Sequence, residues 1–241
     1  VKEGTPYALV QIAQICPDNT LTCLTALLNI SCVTEKFPRV EEVTEALLHF
    51  TTGLVEVEEI IWISALCNLS TLRNNQLRLV EDGILRVIER VLKSSSITLR
   101  HIASKILRNL TTDTRTRSKL IDQSVLFILM NVLRDVDNTV RLNGIYALYN
   151  LTRDNIIREK IVNSNAVSIL IKISIEHMNT LEINRITSKT LRILCGDKVL
   201  ANKLVSDGII KALMSLIHVN DNTIRQYCAE SICSLFQNES V

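Results

Sequence analysis

The stretch that decides the fold is residues 107–111, which read Leu-Arg-Asn-Leu-Thr. Closely related phrases stand at residues 27–31 (Leu-Leu-Asn-Ile-Ser), 66–70 (Leu-Cys-Asn-Leu-Ser) and 148–152 (Leu-Tyr-Asn-Leu-Thr). Their asparagines follow one another at almost constant steps, at positions 29, 68, 109 and 150. A constant step of about 40 residues indicates a structural repeat, so the chain is expected to be built from similar supersecondary units.

Two further observations extend the series along the whole chain. Variants of the phrase without asparagine follow at residues 191–195 and 232–236, in step with the same spacing. A second phrase, Asp-Gly-Ile-Leu at residues 82–85, recurs in altered form with its second position at 124, 165 and 208. The two markers keep step and predict six repeats. Their approximate ranges are 1–39, 40–80, 81–121, 122–162, 163–205 and 206–241.

Each repeat is expected to consist of helices. Residues 84–92 carry apolar side chains three and four positions apart, which is the spacing of one helix face. Three serines at 94–96 interrupt this pattern, and the same spacing restarts from residue 97 to residue 110. Gly83 and Gly208 suit a sharp turn between helices, because glycine has no Cβ to clash there. No repeat can cover its own apolar face, so neighbours must stack in an all-α solenoid forming a single domain over residues 1–241.

Composition narrows the class of protein. Six glycines, three prolines and 47% hydrophobic residues exclude collagen-like and low-complexity chains. The 27 basic and 25 acidic residues nearly cancel, so the chain as a whole is no polyanion-binding tail. Seven cysteines, an odd number spread along the chain, indicate a reducing intracellular compartment rather than a disulfide scaffold. No uncharged apolar run reaches the roughly 18 residues that a membrane span needs.

The two phrases together resemble the armadillo repeat, which pairs Asp-Gly-Ile at a helix start with Ala-Leu-x-Asn-Leu-Ser/Thr at the end of a long helix. The resemblance covers essentially the whole chain and suggests a small protein, or a fragment, made only of armadillo repeats. It implies a right-handed α-solenoid whose third helices line a concave groove. Trp62 stands where other repeats have the small residues Ala103 and Gly144, so local repacking is expected. The chain opens at Val1, with the first repeat entering at its second helix, so an initial helix or an N-terminal lipid anchor is expected to be missing.

The repeated asparagine has two interpretations. In the armadillo family a ladder of asparagine amides binds the backbone of an extended peptide, and an amide offers the donor and acceptor that each peptide unit requires. The matching positions here are Asn29, Asn68, Asn109 and Asn150. Alternatively, such an asparagine ties neighbouring helices together.

Residues one and two turns before the ladder position share its helix face. Lys105 and His101 occupy these positions in the third repeat, Tyr146 in the fourth, and Lys189 and Arg185 in the fifth. Arg108 and Arg192, directly before the ladder position, are expected to lean towards the same region. The middle of the groove is thus predicted to be basic, with a tyrosine in its floor. That composition suits an acidic or phosphorylated segment, although these charges could instead be ordinary solvated ones.

The resemblance also separates the partner classes known in the family. Importin-α adaptors carry tryptophan four residues before the ladder asparagine, where this chain has Thr25, Ser64, Lys105 and Tyr146. Recognition of basic import signals is therefore not expected. The groove resembles that of β-catenin more closely, whose ligands are acidic, although this chain has half as many repeats.

Charge divides unevenly along the chain. Residues 1–80 contain 5 basic and 9 acidic side chains, net −4, and the remainder contains 22 and 16, net +6. An acidic cluster in the second repeat is either a solvated face or a second contact surface. Opposite charges at the two ends would also favour head-to-tail stacking of molecules. The members of the acidic cluster are Glu41, Glu42, Glu45, Glu56, Glu58 and Glu59.

Catalysis is not predicted. The chain has no glycine-rich phosphate loop, no Gly-x-Ser-x-Gly and no His-Glu-x-x-His, and no second Cys/His pair lies at metal-site spacing from Cys228 and Cys233. We therefore expect no catalytic residues, cofactor, metal or small-molecule substrate.

Nucleic-acid binding is not expected either. Recognition of RNA bases by helical repeats needs an ordered polar pair in each repeat, and the position one turn before each ladder residue shows no such regularity.

Two functions follow from these patterns. The first is a non-catalytic protein-interaction scaffold that binds an extended, acidic or phosphorylated segment of a partner in its groove. The alternative is a tethering adaptor that links an organelle membrane, or an axonemal or cytoskeletal assembly, to a motor or cytoskeletal partner. The expected location is cytoplasmic, with an organelle surface or a cilium possible under the alternative, and membrane contact only through a missing anchor or a partner.

Overall fold

The computed structural model describes residues 4–32, 40–50, 53–122, 125–176 and 179–237. Within these ranges all regular structure is helical. The helices are α1 (Thr5–Ile15), a 3₁₀ turn (Pro17–Asn19), α2 (Thr20–Cys32), α3 (Val40–His49), α4 (Glu56–Ser70), α5 (Arg73–Glu81), α6 (Ile84–Val91), α7 (Ile97–Leu110), α8 (Thr114–Asp122), α9 (Val125–Leu133), α10 (Asn138–Thr152), α11 (Asn155–Val162), α12 (Ala166–Ile175), α13 (Leu181–Cys195), α14 (Ala201–Ser206), α15 (Ile209–Leu216) and α16 (Asn222–Phe236).

The helices follow the predicted repeat. Two short helices precede one long helix in the sets α5–α6–α7, α11–α12–α13 and α14–α15–α16. The third helices α4, α7, α10, α13 and α16 contain 14 or 15 residues each, and every ladder phrase lies at the end of a long helix. The predicted break at 94–96 and the restart at Ile97 are confirmed. The recurrence of the second phrase at residue 124 lies outside the described residues.

The chain forms two compact bodies, Val1–Leu120 and Ile121–Val241, called here the N-terminal and C-terminal bodies. In the N-terminal body α4 packs against both α2 and α7. In the C-terminal body the third helices α10, α13 and α16 pack side by side, and the second helices α9, α12 and α15 form a parallel row. Three leucines of the ladder phrases, Leu107, Leu148 and Leu191, are fully buried in these stacks. Neighbouring repeats therefore cover one another's apolar faces within each body.

Local sequence sets where the helices begin. Gly83 and Gly208 have φ angles of 94° and 91°, left-handed values that disfavour other residues, and α6 and α15 start directly after them. The carboxylates of Asp137, Asp154 and Asp221 accept hydrogen bonds from backbone N–H groups in the first turns of α10, α11 and α16. These turns and caps account for the regular spacing of the helices.

A further contact ties first helices to the end of the preceding third helix. The side chains of Gln76, Arg117 and Arg158 donate to the carbonyl oxygens of Ser70, Thr111 and Thr152, six residues earlier, at 2.9, 3.0 and 3.0 Å. Carbonyls at a helix C-terminus have no partner within the helix, so these bonds satisfy groups that would otherwise need water. Each donor stands one repeat length after the one before it, which makes the three a further marker of the repeat.

Trp62 fits the second repeat through contacts of its own. Its ring is fully buried, and its Nε1 donates to the carbonyl oxygen of Leu47 at 2.7 Å. The guanidinium of Arg90 lies over the ring, 5.2 Å from its centre. The large side chain thus has a buried hydrogen-bond partner and a cation on its face.

Three further properties of the described residues concern the cysteines, membrane spans and metal sites. All seven cysteines are free thiols, four of them buried. None of the helices described is long and apolar enough to cross a membrane. No group of three or more His, Cys, Asp or Glu side chains in these ranges could hold a metal ion.

Candidate functional site

The ladder asparagines lie on long helices, and two of them, Asn68 and Asn109, bond to the preceding repeat. The Nδ2 atom of Asn109 donates to the Ser70 hydroxyl at 2.9 Å. Asn68 donates to the Ser31 hydroxyl at 3.0 Å and also contacts the Cys32 sulfur at 3.3 Å. The helix-tying role is thus present at both positions. A carboxamide has two N–H groups and an acceptor oxygen, so each tie fixes the side chain and leaves part of its bonding capacity.

The other two ladder residues are placed by their helices. Asn29 is exposed near the end of α2, and Asn150 is half-buried near the end of α10. Both hold the ladder position that the repeat predicts.

The basic residues of α7 surround Asn109 in the N-terminal body. Lys105 is exposed one turn before it, and His101 and Arg108 are half-buried on the same helix. Burial raises the pKa of the Cys67 thiol on α4, and the positive charge of Lys105 partly opposes this rise. The sequence-predicted residues of the third repeat therefore share one stretch of α7.

In the C-terminal body a cavity opens between α10, α13 and α16. Its volume is about 390 Å³. It brings together three residues that the sequence singled out, Tyr146, Arg185 and Lys189. Five further residues complete its lining, namely Tyr149, Glu182, Ile186, Thr223 and Tyr227. We call this space the tyrosine cavity.

The arginines of this face are paired with carboxylates of the next repeat. Arg185 donates from Nε and Nη2 to Oδ2 of Asp221, at 3.0 and 2.5 Å. This guanidinium, together with the backbone N–H of Ile224, lowers the pKa of the Asp221 carboxyl. Arg192 forms an ion pair with Glu230 at 3.0 Å and lies over the ring of Tyr227, 5.2 Å from its centre. Pairing leaves this face less positive than its arginines alone would make it.

Lys189 is held differently. Its ammonium lies over the ring of Tyr149, 4.8 Å from the ring centre. A cation on an aromatic face is attracted by the electron-rich surface of the ring, without being neutralised by it. On the neighbouring wall the Tyr146 hydroxyl donates to Oε1 of Glu182 at 2.9 Å.

Sequence reasoning missed Tyr149 and Tyr227. Tyr149 directly precedes the ladder asparagine, the position that Arg108 and Arg192 hold in other repeats. The same criterion therefore points to Tyr149, because Arg108 and Arg192 are candidates for the reason that they directly precede a ladder position. Tyr227 has no comparable marker in the sequence.

The acidic cluster of the second repeat is largely engaged within the N-terminal body. Arg78 lies 3.9 Å from Glu41 and 3.6 Å from Glu45, and Arg90 lies 3.4 Å from Glu59. The Tyr7 hydroxyl also donates to Glu45 at 2.7 Å, which raises the pKa of Tyr7 to about 12. These contacts offset part of the negative charge of the cluster.

Comparison with known proteins identifies the fold. No protein-family model matches the chain, and no curated protein sequence does. A designed armadillo repeat protein in complex with the peptide (KR)4 is 18% identical, with a TM-score of 0.82 over 97% of this chain and 100% of its own. Computationally designed armadillo repeat proteins for modular peptide recognition give 18% identity and a TM-score of 0.83, over 95% and 98%. The chain therefore has the armadillo-repeat solenoid fold.

Proposed function

We propose that this protein is a non-catalytic scaffold that binds an extended, acidic or phosphorylated segment of a partner protein along the faces of its third helices. The observation that carries the proposal is the tyrosine cavity. It is lined from three successive third helices, and it combines aromatic rings with cations. A binding surface that repeats from helix to helix suits a ligand whose own backbone repeats.

Two of the solved structures with this fold concern peptides. One holds the peptide (KR)4, and another was designed for modular peptide recognition. That fold is therefore compatible with an extended ligand, which supports the first half of the proposal.

The positive charge near the ladder positions supports the acidic or phosphorylated character of the segment. Lys105 and Lys189 lie one turn before the ladder position of their helices, and Arg108 directly precedes Asn109. Residues 81–241 carry a net charge of +6. These cations would repel lysine and arginine side chains and attract carboxylates or phosphates. The segment is thus expected to be opposite in sign to the peptide (KR)4.

The ladder asparagines supply the backbone part of the recognition. Asn68 and Asn109 are oriented by their bonds to Ser31 and Ser70. A side chain that is already ordered loses little conformational freedom when a ligand binds. We therefore assign these amides a second role, bonding to the main chain of the segment.

Selection from a library of short random peptides tests the proposal. The full chain is compared with a variant that carries Lys105→Glu and Asn109→Ala, and with Asn150→Ala, each checked for wild-type helicity by circular dichroism. We expect the wild type to enrich peptides rich in Asp and Glu, and both variants to lose a large part of that enrichment.

A matched control is Lys172→Gln, an exposed lysine on α12 rather than on a third helix. It should leave the selected pool unchanged. Enrichment of basic peptides by the wild type, or equal pools from the wild type and both variants, would contradict the proposal.

A further inference from the structure

The tyrosine cavity has apolar walls and a charged centre. Tyr146 and Tyr149 come from α10, Tyr227 comes from α16, and Ile186 and Lys189 lie on α13 between them. Ile186 is buried, whereas the three rings and the lysine are half-buried. The volume of about 390 Å³ lies at the lower end of the range of ligand pockets, about 300–1,000 Å³, so the cavity has room for a side chain of a partner.

The cations in and beside the cavity differ in whether a carboxylate neutralises them. Arg185, which lines the cavity, forms an ion pair with Asp221. Arg192, which lies over the Tyr227 ring without lining the cavity, forms an ion pair with Glu230. Lys189 rests on the Tyr149 ring, and none of the carboxylates that the structure describes lies within ion-pair distance of it. Among the described residues, this cation thus lacks an anionic partner.

Two tyrosine hydroxyls add hydrogen-bonding capacity. Tyr149 and Tyr227 line the cavity, and over the described ranges neither hydroxyl bonds to another protein group. Tyr146 differs, because its hydroxyl is already directed to Glu182. The ammonium and the two hydroxyls are therefore three groups that can donate to an oxyanion.

We infer that the tyrosine cavity is a subsite for a single carboxylate side chain, Asp or Glu, of the bound segment. The carboxylate pairs with Lys189 and accepts from the Tyr149 and Tyr227 hydroxyls, while its methylene stem packs on the rings and on Ile186. This inference rests on the proposed function, since it specifies one residue of the segment that the third helices bind.

The number of charges favours a carboxylate over a phosphate. The single ammonium of Lys189 matches one negative charge, whereas a phosphate monoester carries about −1.5 to −2. A second cation would have to be taken from Asp221 or Glu230, leaving that carboxylate without its partner. Glu182 also lines the cavity and repels additional negative charge. The subsite is therefore expected to bind one isolated acidic side chain and not several consecutive acidic residues.

The test starts from the peptides that the full chain enriches in the random library. Selection is repeated on Lys189→Gln and on Lys189→Glu. We expect one peptide position to show an Asp or Glu preference that falls about tenfold or more with Lys189→Gln, as the loss of a charged hydrogen bond implies. With Lys189→Glu the same position should change to Lys or Arg.

Synthetic versions of the most enriched peptide then separate the two oxyanions. The versions carry Glu, Gln or phosphoserine at that position, and their affinity is measured by fluorescence anisotropy. Glu should bind about tenfold more tightly than Gln, with phosphoserine no tighter than Glu. Phosphoserine binding tenfold more tightly than Glu would overturn the carboxylate assignment.

A second variant protects the test from a folding artefact. Tyr149→Phe keeps the ring under Lys189 and removes only the hydroxyl, so binding of the Glu peptide should weaken about threefold to tenfold. Lys172→Gln serves as the control with unchanged affinity.

The outcomes separate the two proposals. If peptides are enriched but their acidic position does not respond to Lys189, the subsite is wrong and the proposed function stands. If the wild type enriches no peptides at all, both are wrong.

Discussion

Asp221 serves two neighbours at once. Its Oδ1 accepts from the backbone N–H of Ile224 at the start of α16, and its Oδ2 accepts from Arg185 of the preceding repeat. Both donors favour the ionised carboxylate, so its pKa lies below the ordinary value of 3.8. One residue thus links the beginning of a helix to the stacking of repeats.

The lowered pKa predicts a pH-dependent contribution to stability. A carboxyl whose pKa is depressed in the folded state stabilises it fully above the unfolded-state pKa, and this stabilisation is lost as the pH falls through the folded-state pKa. Asp221→Asn keeps a capping side chain and removes the charge. We expect the variant to be less stable than the wild type at neutral pH, with a difference that shrinks below about pH 4.

Urea unfolding of both proteins between neutral pH and about pH 3 measures this difference. A gap in unfolding free energy that does not change with pH would contradict the assignment of charge to Asp221.

Substitutions at Asn109 and Ser70 distinguish the structural role of the ladder asparagine from its proposed role in binding. Asn109→Ala removes the tie, and Ser70→Ala removes it from the other side while leaving the amide in place. Each substitution should cost about 0.5–1.5 kcal/mol of unfolding free energy, and the double variant should cost less than their sum. Asn109→Ala should also reduce peptide enrichment strongly, whereas Ser70→Ala, which keeps the amide and only removes its anchor, should reduce enrichment less. Equal losses of binding from both variants would assign the asparagine to stability alone.

The buried cysteines are expected to be unreactive. Burial raises the pKa of the Cys195 thiol to about 12 and that of Cys228 to about 11, so both stay protonated at mildly alkaline pH. Cys16, Cys32 and Cys233 are exposed. Iodoacetamide followed by mass spectrometry should label these three in the native protein, and the remaining four only after denaturation. Labelling of Cys195 as fast as Cys233 would show that its burial is wrong.

At the scale of the helix, Gly144 marks a close approach. A Cβ atom added to it would lie 2.7 Å from Cγ1 of Val132 and 3.3 Å from Cδ2 of Leu133, so α9 and α10 meet where no side chain separates them. Valine is stiff at χ1 and cannot swing away easily.

Gly144→Ala should therefore destabilise the protein by about 1–3 kcal/mol through overpacking, despite a helix-propensity gain of about 1 kcal/mol. Pairing it with Val132→Ala opens the contact and should recover part of the loss. Thermal or urea unfolding of the two variants and of Val132→Ala alone measures this recovery. A Gly144→Ala protein at least as stable as the wild type would show that the two helices separate at little cost.

Sequence periodicity predicted the helices well because it reports burial on one face, which each helix satisfies locally. The start of α7 at Ile97 and the turn at Gly83 both follow from residues within one repeat. The contacts of the site were not predicted in the same way. Arg185 meets Asp221, and Lys189 meets Tyr149, each across two neighbouring repeats, where side-chain direction and helix packing decide the partner.

The repeat spacing also relates three side chains of the first helices that the sequence analysis does not single out. Gln76, Arg117 and Arg158 stand one repeat length apart and perform one task, binding the last carbonyls of a third helix. The three residues hold the same repeat position, but a glutamine and two arginines differ in identity, so comparison of residue types alone does not reveal their shared role.

In the molecule as a whole, we propose that binding belongs to one class of helix. The third helices carry ladder asparagines, Lys189 and the walls of the tyrosine cavity. First and second helices contribute buried faces to the stacks, and first helices also bond to the last carbonyls of the preceding third helices. The division predicts that surface substitutions on third helices change binding, whereas those on second helices, such as Lys172→Gln, do not.

The most direct measurement of this claim is photo-crosslinking with the most enriched library peptide. A benzophenone side chain is placed at successive peptide positions, and mass spectrometry locates the attachment sites on the full chain. We expect attachment to third helices, with the acidic position of the peptide next to Tyr149 or Tyr227. Attachment mainly to the first and second helices α8, α9, α11 and α12 would contradict it.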